Sequence, residues 1–198
     1  MELSQDGQSL AAEQTVGHFA LVAYIPEPLA GFLDTLRLDL TPGSKPRAHV
    51  TILPPRPLHE ELKVSIQQME DQLRDSAAFR LDLGDIEIFD ASHVVYLGIS
   101  RGGEELRHLY EALNCGCMKY AEAFPYHPHI TIAQNILPEQ AEPMAAVARK
   151  RWAEYPGPRS FDVSALTFVQ HVALQIWADI KTLPLGVAAV AGVRTNGR

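Results

Sequence analysis

Two short segments of the chain carry the same residue types at a spacing suited to chemistry. The first is His49-Val-Thr51-Ile and the second is His129-Ile-Thr131-Ile. Because residues i and i+2 of a β-strand point to the same face, each segment would present an imidazole beside a hydroxyl. Imidazoles have pKa values near neutrality, so a pair of them can supply a neutral base and a protonated acid at one pH. The pattern therefore predicts acid–base catalysis by two histidines.

Two such strands brought together would form a site suited to in-line displacement at a phosphate. One histidine would take a proton from the attacking oxygen, and the other would donate a proton to the leaving oxygen. The hydroxyls of Thr51 and Thr131 would donate hydrogen bonds to the non-bridging oxygens, where charge develops in the transition state. This chemistry requires no metal ion, so we expect neither a metal nor another cofactor.

A zinc site is the alternative use of the same histidines. His127 and His129 have the spacing of two ligands on one strand, and His49 could complete a three-histidine site. No acidic or cysteine ligand is recognisable near them, and the threonines would have no role in such a site. The duplicated threonines therefore favour phosphate chemistry.

The two segments belong to a longer internal repeat. A shift of 80 residues places His49 on His129 and continues without gaps over a long stretch. The matching segments are 49–52 and 129–132, 60–74 and 140–153, 81–89 and 161–169, and 94–97 and 174–177. We expect two similar lobes related by a pseudo-twofold axis, each contributing one His-x-Thr strand.

The spacing of apolar residues predicts the elements that position these strands. The first half is predicted to form a strand, a helix, a strand, a helix and a hairpin, over 18–25, 29–40, 47–53, 60–74, 79–89 and 94–100. A hairpin at the end of each half favours antiparallel strands with helices on one face. No glycine-rich phosphate loop supports a doubly wound parallel sheet instead. The predicted class is α+β, a duplicated bilobal fold of two antiparallel β-sheets flanked by helices, with both motifs in a central cleft.

Composition and charge limit the classes of function. The chain has 198 residues, of which 46% are apolar and 21% charged, as in a soluble globular protein. We predict one bilobal domain over 16–183 between flexible tails at 1–15 and 184–198. The net charge of −7 excludes a strong general attraction for long nucleic acid or an anionic membrane. Two cysteines are too few for a disulfide scaffold, and no signal peptide or membrane helix is recognisable, so we expect a cytoplasmic protein.

The paired motifs resemble the HxTx signatures of the 2H phosphoesterase superfamily. The second motif, with Tyr126-His-Pro before His129, is similar in particular to that of the 2'-5' RNA ligase-like branch. The resemblance covers residues 18–183 and implies a bilobal fold with metal-independent phosphodiester chemistry. By position it also implies that the two histidines are the acid–base pair and that the two threonines are the phosphate ligands.

Four further residues are candidates for substrate binding. Arg47 and His127 each lie two residues before a motif histidine and would line the ends of the cleft. Arg56 lies in a proline-rich segment, where it is either a surface residue or a guanidinium that reaches a phosphate. Tyr126 directly precedes the second motif and could stack on a base.

The remaining aromatic and histidine side chains are predicted to be structural. Phe168 and Trp177 match the apolar Ile88 and Leu97 under the repeat, which favours a place in the core over base stacking. His171 has no duplicated partner, so it is interpreted as a structural or surface residue.

Two functions are consistent with the predicted site. The first is a phosphodiesterase that hydrolyses 2',3'-cyclic phosphate or 2'-5' phosphodiester bonds of RNA ends or small nucleotides. The alternative is a non-catalytic or ligase-direction module that binds RNA ends or nucleotides in the same cleft. The retained acid–base pair favours the enzyme, and the scattered lysines and arginines favour a small cyclic nucleotide or an RNA terminus over long RNA. We expect no DNA partner, no membrane partner and a monomeric protein.

Overall fold

The computed structural model of the protein describes residues 16–44, 47–174 and 176–186. The predicted N-terminal tail and most of the C-terminal one lie outside these residues. Leu185 and Gly186 still belong to the fold, because Leu185 is buried in the core and Gly186 pairs with Ala77. The folded chain thus continues past the predicted boundary at residue 183.

Strands and helices alternate through most of the described chain. The strands are β1 (Phe19–Tyr24), β2 (His49–Arg56), β3 (Phe79–Ile88), β4 (Val95–Arg101), β5 (His129–Ala133), β6 (Ser160–Val163), β7 (Ala165–Ala173) and β8 (Ile176–Pro184). The α-helices are α1 (Leu29–Leu40), α2 (Leu62–Leu73), α3 (Gly103–Leu113) and α4 (Pro138–Ala153).

The helices bury one apolar stripe each. In α1, Leu29, Leu33 and Leu36 follow one another at spacings of four and three residues, and all three are buried, as expected for a helix that packs on one face. Helix α3 begins after Gly102, whose φ of 88° costs little for a residue without a Cβ atom. These stripes pack α1 and α3 against the strands that carry the two motifs, α2 against β8, and α4 against β3 and β4.

Two four-stranded antiparallel sheets bring the motif strands together. The strand order is β2-β1-β7-β8 in the first sheet and β5-β4-β3-β6 in the second. Strands β2 and β5 are therefore edge strands, and they pack against each other. Helix α1 packs against β5 and α3 packs against β2, so each helix contacts the motif strand of the opposite sheet. The two motifs meet where the lobes join.

One hydrophobic core extends through both lobes. Val50 and Ile52 of β2 and Ile130 and Ile132 of β5 are buried in it, and alternation turns the motif histidines and threonines to the other face. Other core residues come from both sheets and the helices, among them Leu21, Leu33, Leu81, Leu97, Leu106 and Phe168. The motif side chains thus lie on strands whose opposite faces are packed in the core.

The predicted α+β class with two antiparallel sheets and flanking helices is confirmed, but part of the predicted repeat is wrong. By sheet position, β5, β4, β3 and β6 correspond to β2, β1, β7 and β8. Segment 94–97 lies in β4 next to β5, whereas 174–177 leads into the edge strand β8, so these two do not correspond. Segment 161–169 is divided at Ser164 between β6 and β7, which belong to different sheets. Alternation of apolar residues is common to half-buried strands, so a fixed shift cannot show which sheet a strand joins.

The two predicted core aromatics have different outcomes. Phe168 is fully buried, as predicted. Trp177 is 37% exposed, because β8 is an edge strand and its indole lies on the sheet face opposite the core. The prediction of Trp177 as a core residue is therefore wrong.

Candidate active site

The motif strands place their histidines and threonines on the face that turns away from the core. His49, Thr51, His129 and Thr131 are all half-buried, while the residues between them are buried. The two imidazoles are close enough for the charge on His129 to act on His49. The structure thus brings the two predicted acid–base groups into one site.

The same hydrogen bond orients both imidazoles. Nδ1 of His49 lies 2.6 Å from the backbone carbonyl oxygen of Arg47, and Nδ1 of His129 lies 2.7 Å from that of His127. A carbonyl oxygen only accepts, so each Nδ1 carries the hydrogen and donates it. Each Nε2 is left without a hydrogen in the neutral ring and can take up a proton.

Both histidines favour the neutral form. Burial lowers the pKa of His49 to about 4, and the charges of Arg37, His129 and Arg47 act in the same direction, whereas the carbonyl of Arg47 opposes them. Burial also lowers the pKa of His129, with a further contribution from His127. The charge of Arg37 contributes to the lowered pKa of His49 and that of His127 to the lowered pKa of His129, so the two rings differ in their electrostatic surroundings.

Arg37 is a functional candidate that sequence reasoning missed. It follows the buried Leu36 in α1, and its side chain is half-buried. Burial lowers the pKa of its guanidinium, and Asp34 is the charged group that acts against this. No hydrogen bond or salt bridge joins the guanidinium to another described residue. In the sequence Arg37 looks like any arginine at the border of an amphipathic helix, and only the packing of α1 shows its charge acting on His49.

Arg47 belongs to a small polar cluster beside His49, with Tyr24 and Asp179. Its Nη1 donates hydrogen bonds of 2.7 and 2.9 Å to the two carboxylate oxygens of Asp179, and its guanidinium lies 3.3 Å from the ring centroid of Tyr24. The Tyr24 hydroxyl also donates to Asp179, at 2.7 Å. Burial raises the pKa of Asp179, but these hydrogen bonds outweigh it and the pKa is lowered overall. The side chain of Arg47 remains 58% exposed, so a ligand can reach it.

His127 lies on the other side of the site, among aromatic rings. Phe89 stacks on Tyr96 at 4.0 Å between ring centroids. The ring of Phe89 also meets His127 and His129 edge-on, at 5.1 and 5.0 Å. His127 itself is exposed, so the structure places it at the cleft surface beside the second motif.

A cavity of about 450 Å³ opens next to His127. Its wall includes Gly98, which pairs with His129 in the sheet. Charged residues of both signs complete the wall, namely Glu87, Arg101, Glu104, Glu105 and Arg107. The site is thus flanked by Arg47 on one side and by this cavity on the other.

Arg56 is buried, whereas the sequence suggested a surface residue or a phosphate ligand. It is only 1% exposed, and its Nη1 donates hydrogen bonds of 2.7 Å to Oδ1 of Asn114 and to the carbonyl of Met118, while its Nη2 pairs with Glu122. All of these partners belong to the segment that connects α3 to β5. The expectation that Arg56 lies at the surface or reaches a phosphate is therefore corrected, because its guanidinium braces that segment.

Tyr126 is hydrogen-bonded to the backbone of the first motif. Its ring stacks on Tyr110 at 4.3 Å, nearly parallel, and its hydroxyl donates a 2.9 Å hydrogen bond to the carbonyl oxygen of Thr51. Both ring and hydroxyl are thus engaged by the protein. Tyr126 ties the second motif to the strand of the first, which is a different role from the base stacking that the sequence suggested.

No metal-binding group is found in the part of the chain that the structure describes. In residues 16–44, 47–174 and 176–186, no three or more His, Cys, Asp or Glu side chains are grouped to hold a metal ion. The three histidines of the alternative zinc site therefore do not form such a group. Within the same residues, no helix has the length and apolar character needed to cross a membrane.

A family profile described as the 2'-5' RNA ligase superfamily matches residues 25–174. The chain belongs to this superfamily. The match includes both motif strands, and it confirms the resemblance to 2H phosphoesterases that the motifs suggested. Membership places the protein among phosphoesterases and RNA ligases in general.

Solved structures share the fold at low sequence identity. E. coli LigT complexed with phosphate is 17% identical with a TM-score of 0.57, covering 85% of this chain and 97% of its own. For LigT complexed with 3'-AMP the values are 19%, 0.56, 85% and 98%. Usb1 of Kluyveromyces marxianus is 14% identical with a TM-score of 0.55, covering 87% of this chain and 100% of its own. A comparison with curated protein sequences gives no significant match.

Proposed function

We propose that the protein is a metal-independent phosphodiesterase that hydrolyses 2',3'-cyclic phosphate or 2'-5' phosphodiester bonds of RNA ends or small nucleotides. The observation that carries this proposal is the pair of imidazoles, each with Nδ1 bonded to a carbonyl two residues earlier and Nε2 free to exchange a proton. LigT, which shares the fold, has been solved with phosphate and with 3'-AMP, which supports a nucleotide phosphate as the ligand.

The two histidines have opposite roles in the proposed reaction. Nε2 of neutral His49 takes a proton from water while the water oxygen bonds to phosphorus. The bond from phosphorus to a ribose oxygen breaks, and Nε2 of protonated His129 donates a proton to that oxygen. His49 is assigned as the base because the positive charge of Arg37 acts on it and not on His129.

Charge on the non-bridging oxygens is balanced by neutral donors and by Arg37. Thr51 and Thr131 lie two residues after the histidines on the same faces and would donate hydroxyl hydrogen bonds to these oxygens. Within the described residues the guanidinium of Arg37 forms no hydrogen bond or salt bridge, so its N–H groups can donate two parallel hydrogen bonds to a phosphate. Arg47 and His127 lie on either side and would contact the rest of the nucleotide.

Hydrolysis of 2',3'-cyclic nucleotides tests this function. We expect turnover to survive EDTA and to fall by 100-fold or more in either His49→Ala or His129→Ala, since a positioned acid or base contributes roughly 10²–10⁴-fold. His59→Ala is the matched control, because His59 is exposed in the segment between β2 and α2, and it should keep the wild-type rate. Chromatography of the products identifies which ribose oxygen leaves.

Other outcomes would replace the proposal. Turnover that EDTA abolishes would restore the metal-site alternative. Nucleotide binding without turnover of cyclic or 2'-5' linked substrates would favour the binding module, and joining of RNA ends would favour the ligase direction.

A further inference from the structure

The hairpin of β7 and β8 carries a partly exposed tryptophan, Trp177, that stacks on a buried histidine. Trp177 is 37% exposed, and its ring stacks on His171 at 4.8 Å between centroids with 21° between the planes. His171 is 3% exposed and directly opposite Trp177 in the sheet. One face of the indole thus stacks on a buried ring, while the side chain as a whole remains 37% exposed.

This indole lies on the same sheet face as the catalytic histidine of β2. His49 pairs with Tyr24 across β1 and β2, and the Tyr24 hydroxyl reaches Asp179 of β8. Trp177 precedes Asp179 by two residues in a regular stretch of β8, so both point to one face. Because β2 and β8 are the outer strands of a four-stranded sheet, about 14 Å separate them across the strands. The register also places Trp177 level with His18 and His49 level with Tyr24, so the two side chains are offset by six residues, or about 20 Å, along the strands.

The surface between His49 and Trp177 consists mainly of small apolar side chains, with the exposed guanidinium of Arg47 beside them. Ala20, Val22 and Val169 form its floor and are buried. Arg47 lies over Tyr24 above this floor, held by Asp179 and open to solvent. A chain that leaves the phosphate site across this sheet would meet a guanidinium first and an aromatic face next.

We propose that Trp177, His171 and Arg47 form a binding surface for the single-stranded RNA that precedes the reacting phosphate. One base stacks on the exposed indole of Trp177, and a backbone phosphate pairs with Arg47. Aromatic stacking suits any base, and single-stranded binding sites combine such faces with positive charge. The surface deepens the proposed function and rests on it: it makes a short oligoribonucleotide terminus a better substrate than a mononucleotide.

Tryptophan fluorescence tests the surface without turnover. The chain has two tryptophans, and Trp152 is 4% exposed with its Nε1 bonded to the carbonyl of Gly84, so only Trp177 is open to a base. We expect a tetraribonucleotide with a 3'-phosphate to quench the wild-type emission and 3'-AMP to leave it nearly unchanged. Absence of quenching by the tetranucleotide at saturating concentration would overturn the proposal.

Substitutions test the same surface by affinity. Trp177→Ala should raise KM for a tetranucleotide ending in a cyclic phosphate about tenfold more than KM for the cyclic mononucleotide, within the range of stacking on one base. Trp177→Phe should restore most of the difference, and thermal unfolding of both variants checks the fold. Val172→Ala is the control, because Val172 is an exposed apolar residue of the same hairpin that does not belong to the proposed surface, and it should change neither KM. An equal effect of Trp177→Ala on both substrates would overturn the proposal.

The two proposals fail separately. Quenching by the tetranucleotide with no turnover of any cyclic or 2'-5' linked substrate would sustain the surface and reject the proposed function. Turnover of cyclic mononucleotides with unchanged tetranucleotide kinetics in Trp177→Ala would sustain the function and reject the surface.

Discussion

His49 and His129 are held by equivalent hydrogen bonds but differ in the charges around them. Each donates from Nδ1 to a carbonyl two residues earlier. Burial lowers the pKa of both rings, and the positive charges of Arg37 and Arg47 contribute to the lowered pKa of His49. In the proposed reaction this difference makes His49 the base, because a nearby positive charge favours the neutral imidazole.

The pH dependence of kcat/KM should reflect these two rings. Activity should rise from acidic pH as His49 loses its proton, with a pKa of about 4, and fall at higher pH as His129 loses the proton that it must donate. Burial holds the pKa of His129 below 6.5, so the alkaline limb should begin below that pH. A rate profile with a cyclic mononucleotide measures both limbs. An alkaline limb centred well above 6.5 would contradict the assignment of His129 as the acid.

Replacing Arg37 should change His49 selectively. Arg37→Met removes a positive charge, so the pKa of His49 should rise, and that of His129 should stay as it is. Loss of a charged hydrogen bond to the phosphate should lower kcat/KM by about 10- to 100-fold, and Arg37→Lys should restore the pKa more fully than the rate, since lysine keeps the charge without the planar fork. Histidine ring titration by NMR measures the first effect and kinetics the second. A rise of both histidine pKa values would show that Arg37 acts on both rings and would contradict the selective effect.

At the scale of elements, the end of β2 is fixed by a buried ion pair. Arg56 closes β2 and bonds to Asn114, Met118 and Glu122 in the segment between α3 and β5. Desolvation of the guanidinium makes these partners necessary, because a buried charge without them is costly. The contacts tie the first motif strand to the segment that leads into the second.

Arg56→Ala should therefore reduce stability and leave the chemistry in place. We expect a loss of about 3 kcal/mol in the free energy of unfolding, because Glu122 loses its charged partner and three other oxygens, of Pro54, Asn114 and Met118, each lose a hydrogen bond. Urea unfolding measures the loss, and kcat/KM per folded molecule should change little. Arg74→Ala is the control, since Arg74 pairs with Asp71 at the surface, and it should change stability by less than about 0.5 kcal/mol. A variant that keeps its stability and loses affinity for phosphate would restore the sequence-based interpretation of Arg56.

At the scale of the whole molecule, the two lobes exchange strands. The first sheet combines β1 and β2 from the first half of the chain with β7 and β8 from the second half. The second sheet combines β3 and β4 from the first half with β5 and β6 from the second half. In this sheet β3 forms backbone hydrogen bonds to both β4 and β6. Each lobe is therefore built from distant parts of the sequence.

This exchange predicts that half of the chain does not fold alone. A fragment of residues 1–101 has β1 to β4 but lacks the partners β7 of the first sheet and β5 and β6 of the second. Unpaired strands and an open core should leave it unfolded, with poor dispersion of backbone amide signals in NMR spectra. Adding the fragment 102–198 should restore a folded spectrum. A dispersed spectrum from 1–101 alone would show that the exchange is not needed for folding.

The sequence by itself determined the motif strands, the helices α1, α2 and α4, and the α+β class, whereas α3 was not predicted. These depend on local periodicity, because alternation in β2 and β5 fixes which side chains share a face, and spacings of three and four residues fix the buried stripe of α1. The pairing of two identical His-x-Thr patterns was enough to indicate acid–base chemistry at a phosphate.

Only the tertiary structure decided which residues surround that chemistry. It brought the charge of Arg37 to His49, buried Arg56, tied Tyr126 to Thr51 and left Trp177 exposed on an edge strand. Periodicity shows that one face of an element is buried, but it does not show against which partner. Strand exchange and the burial of a charge depend on contacts between segments far apart in the chain, and such contacts are set by the packing of the whole core.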